Sequence, residues 1–252
     1  MRRGKGKRSA CKVPECPAMT NDAFVFPARP IPAAPVKGSA LRYPIGRIFC
    51  VGRNYAEHAR EMGTEPDKED PFYFTKSAHA YVPSGSTIPY PPETANCHYE
   101  MELVAAIGAV GFRVAEEDAL SIVYGYAAGI DLTRRDRQQD GKDKRRPWDL
   151  GKDFENAAIL SEIVPAADIG HPESGAIELS VNGEMRQRAD IADMINSVAE
   201  VIAHLSRFYH LAPGDLIYTG TPAGVGPIVA GDRIEGQVEG IAEISVIFSA
   251  AE

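Results

Sequence analysis

Two glutamates one residue apart, in the run Tyr99-Glu100-Met101-Glu102-Leu103, are the sharpest chemical feature of the chain. Side chains alternate along a strand, so both carboxylates share one face and Met101 and Leu103 share the other. Like charges this close either raise one another's pKa or share a cation, and on a buried face a divalent ion is the usual resolution. The plainer alternative is a solvated strand face. Asp131 bears on the choice because it ends the apolar run Tyr124-Gly125-Tyr126-Ala127-Ala128-Gly129-Ile130. A carboxylate there is costly unless it is paired or coordinating. Three carboxylates with no neighbouring His or Cys suit a hard, oxygen-preferring ion such as Mg2+ or Mn2+, with positions left open for water and substrate. Pairing of Asp131 with Arg134 or Arg135 is the ordinary alternative.

Two further constellations carry weaker signals. His58 and Glu61 are three apart in a segment that reads as helix, so the carboxylate can orient the imidazole and raise its basicity, a pair able to activate water. Alone, such spacing also describes a surface pair. Tyr218-Thr219-Gly220-Thr221-Pro222-Ala223-Gly224-Val225-Gly226 reads as a strand entering a Gly-rich turn, whose amides can hold a carboxylate or phosphate. It lacks the Lys and following helix of a phosphate-binding loop, and a structural turn is the default.

The elements that must position these groups are mostly strands. Residues 47–52 read as a buried strand, followed by a short helix over 55–62 capped by Asn54 and ended by Gly63. Strands are expected at 72–76, 99–107 and 124–132, with a helix at 116–123. Asn182-Gly183, between the segments 177–181 and 185–187, signals a two-residue hairpin. Val198, Val201, Ile202, Leu205 and Phe208 repeat at helical spacing and predict an amphipathic helix over 193–209, closed by Pro213 and Gly214. Further strands follow at 216–218 and 241–248. Pro27, Pro30, Pro32 and Pro35 make the entry segment an extended arm. The expected class is α+β, strand-dominated, with a few peripheral helices.

With 252 residues and 44% hydrophobic content the chain can bury one substantial core. No apolar run is long enough to span a bilayer, so no membrane role is expected. The net charge of -8 is uneven: residues 1–18 hold six Lys or Arg and one acid, which leaves 21 basic and 34 acidic residues, a net of -13, in the rest. So acidic a body should repel polyphosphate, and no nucleic-acid partner is expected. Residues 1–22 read as a disordered basic leader without the apolar core of a secretory signal. Met19 resembles a chain start, which would make residues 1–18 an upstream extension. Residues 23–252 are expected to form a single catalytic domain. Cys11, Cys16, Cys50 and Cys97 show no metal-binding spacing and fit free thiols in a reducing cytoplasm.

Taken in order from about residue 47 to 248, the motifs resemble the fumarylacetoacetate hydrolase family. They are Gly52-Arg53-Asn54-Tyr55 with His58, Tyr99-Glu100-Met101-Glu102-Leu103, Asp131-Leu132-Thr133-Arg134-Arg135-Asp136, Gly151-Lys152 before Phe154, Val181-Asn182-Gly183-Glu184, and Gly220-Thr221-Pro222-Ala223-Gly224-Val225-Gly226. The doubled arginine after Thr133 is similar to the short bacterial acylpyruvate hydrolases within it. The resemblance implies a mixed β-sandwich roll, a homodimer, and Mg2+ or Mn2+ held by Glu100, Glu102 and Asp131. It also implies catalytic roles for His58 and Glu61, on a lid over the substrate, and for Lys152 near the metal. Arg53, Tyr55, Lys76, Arg135, Gln138 and Thr221 are the substrate-binding residues it suggests. Asp153 departs from the small hydroxyl residue of many relatives and bears on the hydrogen bonding around Lys152.

The activity implied is metal-dependent hydrolysis of a carbon-carbon bond in a small diketo acid, with fumarylpyruvate giving fumarate and pyruvate. Oxaloacetate decarboxylation, or isomerisation or hydration of a diene-dioate, would use the same site, since a family does not fix a reaction. The alternative of another class is a non-catalytic binding protein whose basic leader recruits an anionic partner.

Overall fold

The computed structural model describes residues 24–61, 63, 68 and 70–252. The expected disordered leader, 1–22, with Cys11 and Cys16, lies outside the described residues. The chain divides into two units, residues 1–30 and 31–252. Of the first, residues 24–30 are described and all are exposed.

Residues 31–252 are strand-dominated, as expected. An eight-stranded mixed sheet runs in the order Phe72–Lys76, Ile48–Gly52, Leu216–Tyr218, Met101–Ile107, Val123–Asp131, Ala158–Leu160 and Tyr81–Pro83, with Val164–Pro165 also paired to Val123–Asp131. A five-stranded sheet runs Glu184–Asp190, Ala176–Val181, Arg233–Val238, Ala242–Ser249 and Ser86–Pro89. Met101 faces Gly236 across the space between them, and Met101, Leu103 and Ile234 are fully buried. This is the apolar side of the alternation read in the sequence, and it forms the core of a sandwich.

A third sheet, Thr133–Arg134, Cys97–Tyr99 and Gly226–Ile228, sets up the site. The chain leaves this sheet at Glu100 to enter Met101–Ile107, and the neighbouring strand enters it just past Asp131. Both crossings occur at one level, tied by the Asp131 amide donating to the Glu100 carbonyl at 2.8 Å. The continuous strand expected over 99–107 is therefore two strands, broken at the residue that carries the first carboxylate.

The Asn182-Gly183 hairpin is present, with φ of 53° and 81° at the two turn residues, the left-handed pair that a two-residue turn needs. Three helices differ from expectation. The helix predicted over 193–209 is Val198–Leu205, because Ser197 and Glu200 form a reciprocal capping box that starts it late. Phe208 falls beyond its end and is 63% exposed. The segment 116–123 is a 3-10 helix, Glu116–Ile122. Asn54 does not cap the helix Ala56–Glu61: its amide donates to the Asn196 and Thr219 carbonyls, both at 2.8 Å, and its oxygen accepts from the Asn196 amide. It stitches the loop before His58 to two other segments. Gly63 follows the helix with φ 76°, as expected.

Candidate active site

The three carboxylates meet. One oxygen from each of Glu100, Glu102 and Asp131 lies within 4.8 Å of the others, and the side chains are 5%, 1% and 0% exposed. That burial rules out the solvated face. Asp131 pairs with neither Arg134 nor Arg135. Its partners are Lys76, 2.7 Å from Oδ1, and Lys152, which donates to Oδ2 at 2.8 Å. Lys152 also donates to Glu100 Oε2 at 2.7 Å and Thr133 Oγ1 at 2.6 Å. Arg135 reaches Glu100 Oε1 at 2.6 Å and is braced by Gln138 Oε1 at 2.8 Å.

The field is uneven across the cluster. Burial would raise Glu100, but Lys152, Arg135 and His58 outweigh it and hold the carboxyl well below its ordinary range. Glu102 makes no ion pair among the described residues and accepts the Gly220 amide at 2.7 Å. Burial, then Asp131 and Glu100, push it well above the ordinary range. Burial would lower Lys152, yet Asp131 and Glu100 raise it, so it stays an ammonium.

Lys152 is placed by a tight helix contact. It ends the helix Asp149–Lys152, and a Cβ at Gly151 would stand 2.7 Å from the Gln138 amide nitrogen and 2.9 Å from its Cα. Gly151→Ala is therefore expected to force that helix off Arg135–Asp143, lowering stability by about 1–3 kcal/mol, typical of overpacking, and displacing Lys152. Thermal unfolding and turnover check this, and wild-type values for both would contradict it. Asp153 accepts the Ser77 amide at 2.8 Å, away from the Lys152 ammonium, so the departure there leaves the lysine's bonds in place.

His58 lies at the cleft with 6% exposure, so the pair with Glu61 is no surface pair; Nδ1 is 3.1 Å from Glu61 Oε2. The Gly224 amide donates to both Glu61 oxygens at 3.2 Å. The Gly-rich turn thus spends two amides, Gly220 and Gly224, on the protein's own carboxylates. It holds Glu102 in the cluster and Glu61 behind the histidine.

Arg53, Arg135, Gln138 and Thr221 line the same cleft as His58, Glu100, Glu102 and Lys152. Two expected substrate-binding residues do not. Lys76 is fully buried and directs its ammonium to Asp131 and to the Leu132 and Lys152 carbonyls. Tyr55 is 2% exposed and bridged to Met194. Both support the cleft from behind, because the strand and loop that carry them turn those side chains inward.

Sequence reading missed Gln187, which is fully buried in the hairpin and ties two site segments together. It accepts the Met101 amide at 3.0 Å and donates to Thr221 Oγ1 at 2.9 Å and the Pro222 carbonyl at 2.8 Å. A polar residue in a strand otherwise mostly exposed gave no signal. Thr133, Phe72, Phe74 and Trp148 were also not singled out as site residues. Cys50 and Cys97 are free and buried, as expected.

The cluster fits a divalent ion. Its donors are hard oxygens, its two glutamates and aspartate repel one another around Glu102, and buried Asp131 Oδ1 accepts no hydrogen bond despite the nearby Lys76.

The fold and this cluster define a known class. The family described as fumarylacetoacetate (FAA) hydrolase C-terminal matches residues 47–247, and the chain belongs to it. It is 58% identical over 193 residues to a fumarylpyruvate hydrolase of Ralstonia sp., covering 76% of this chain and all of that one. It is 40% identical over 199 residues to an oxaloacetate tautomerase of Escherichia coli K12, covering 79% and 90%. Among solved structures, the fumarylpyruvate hydrolase of Pseudomonas aeruginosa in complex with Mn2+ and pyruvate superposes with a TM-score of 0.88 at 47% identity, over 90% of this chain and all of that one.

Proposed function

We propose that the chain is a divalent-metal-dependent hydrolase that cleaves an acylpyruvate, converting fumarylpyruvate to fumarate and pyruvate. The observation that carries this reading is the buried triad of carboxylates beneath the His58–Glu61 pair, in a chain so similar to a fumarylpyruvate hydrolase. Glu100, Glu102 and Asp131 would hold Mg2+ or Mn2+, which when bound orients the pyruvyl end and stabilises negative charge on its oxygen. Thr221 and Gln138 flank that end.

With Nδ1–H given to Glu61, Nε2 of His58 is the basic nitrogen. It takes a proton from water as the water oxygen attaches to the distal carbonyl carbon. The bond from that carbon to the methylene then breaks, and its electron pair enters the pyruvate half as an enolate. Lys152 places positive charge beside the enolate, and the proton returns to its carbon. A homodimer in the cytoplasm is the assembly proposed. Support for the compartment comes from the buried free thiols.

Burial lowers His58 below the ordinary value of 6.5 by more than Glu100 and Glu61 raise it. The imidazole is thus neutral at pH 7 and able to accept a proton, and it is lost as a base only as pH falls through its lowered pKa. The acid limb of kcat/KM is expected below pH 6.5, and Glu61→Gln should move it lower still. A limb centred above 6.5 in the wild-type pH profile would contradict the assignment.

The reading is tested by offering fumarylpyruvate, maleylpyruvate, acetylpyruvate and oxaloacetate with Mg2+ or Mn2+ and following pyruvate. Fumarylpyruvate should give the highest kcat/KM. Keto-enol exchange of oxaloacetate faster than cleavage of any acylpyruvate would replace hydrolysis with tautomerisation, the activity of the relative from Escherichia coli.

A further inference from the structure

The helix Arg135–Asp143 turns one stripe toward the cleft: Arg135, Gln138 and Lys142, at spacing i, i+3 and i+7. Arg135 and Gln138 belong to the carboxylate cluster. Lys142 lies two turns beyond Arg135, about 10 Å along the axis, and lines the same cleft. Its ammonium is half-buried, stands 5.3 Å from the Trp148 ring centre, and has no carboxylate partner among the described residues. Burial, Arg135 and Arg53 work against its charge and outweigh Glu100, which favours it.

Arg53 lines the same cleft. It adopts a positive φ of 56°, uncommon for a side chain of this size, and holds its guanidinium 5.6 Å from the Phe72 ring centre. It too makes no ion pair among the described residues. Phe72 and Trp148 meet edge to face at 5.7 Å between the two cations. The cleft therefore carries an aromatic surface flanked by two cations that make no ion pair among the described residues, beside Glu100 and Glu102. Cations gathered in a cleft without an ion-pair partner favour an anionic ligand.

Resting on the hydrolase reading above, we propose that Arg53 and Lys142 bind a terminal carboxylate on the acyl half of the substrate, with Phe72 and Trp148 carrying its flat unsaturated chain. The substrate class is thereby narrowed to acylpyruvates that end in a second carboxylate. Lys142 is the specificity-determining residue, and it touches none of the three carboxylates.

The test compares wild type, Lys142→Met and Lys142→Arg with fumarylpyruvate, which has the second carboxylate, and acetylpyruvate, which lacks it. Lys142→Met is expected to lower the ratio of the two kcat/KM values by about ten- to a hundredfold, as loss of a charged hydrogen bond does, mostly through KM for fumarylpyruvate. Lys142→Arg should keep most of the ratio, and thermal unfolding of both variants should match wild type. An unchanged ratio in Lys142→Met, or an equal loss on both substrates, would overturn the carboxylate subsite while leaving the hydrolase reading standing. A wild type that cleaves neither substrate would overturn both.

Discussion

Glu100→Gln, Glu102→Gln and Asp131→Asn should each remove metal-dependent activity, by more than the ten- to hundredfold that disturbing even outer partners of a metal ligand costs. All three oxygens come from carboxylates, and no soft ligand remains to compensate. The variants should differ in stability, however. Asp131 balances two buried ammonium groups, Lys76 and Lys152, and stripping a buried charge of its partner costs about 3–5 kcal/mol. Asp131→Asn should therefore unfold at a clearly lower temperature. Glu102 makes no ion pair among the described residues, and burial, Asp131 and Glu100 oppose its charge by more than Lys152 favours it, so the metal-free Glu102→Gln protein should be at least as stable as wild type. Thermal unfolding after chelation, run beside turnover with added Mn2+, separates the two effects. Near-normal turnover in all three variants would remove the metal assignment.

His58→Ala should lower fumarylpyruvate hydrolysis by roughly two to four orders of magnitude, the usual share of a general base, with metal affinity nearly unchanged. Nδ1 of His58 is committed to Glu61, and Glu61 to the Gly224 amide, so the imidazole is fixed in place for one task. That task exists only if water must be activated. Decarboxylation of oxaloacetate needs no attacking water, and the variant should keep more of that activity than of hydrolysis. Turnover of both substrates at saturating metal is the measurement. A variant that hydrolyses fumarylpyruvate at the wild-type rate would exclude His58 as the base.

Much of this was readable in the chain because it rests on local periodicity. Alternation put Glu100 and Glu102 on one face, the apolar run before Asp131 marked an expensive carboxylate, and Asn182-Gly183 marked its hairpin. What spacing could not convey is which distant groups meet. Lys76 and Lys152 lie 55 and 21 positions from Asp131, and only the sheet order brings them to it, so the nearer arginines stood as the ordinary alternative. Gln187 was invisible for the same reason: its three bonds run to Met101, Thr221 and Pro222, which are 86, 34 and 35 positions away. Helix ends were misplaced where apolar spacing continued past a polar cap, as at Ser197, or where a polar residue such as Asn54 was drawn into tertiary bonds.

The central claim, a metal-dependent cleavage of a carbon-carbon bond, is tested most directly by following fumarylpyruvate by proton NMR with chelated protein before and after Mn2+ is restored. The expected result is no cleavage without the ion, and equal amounts of fumarate and pyruvate once it is returned. Fumarylpyruvate that persists, or changes only its tautomer, in the Mn2+-restored sample would contradict it.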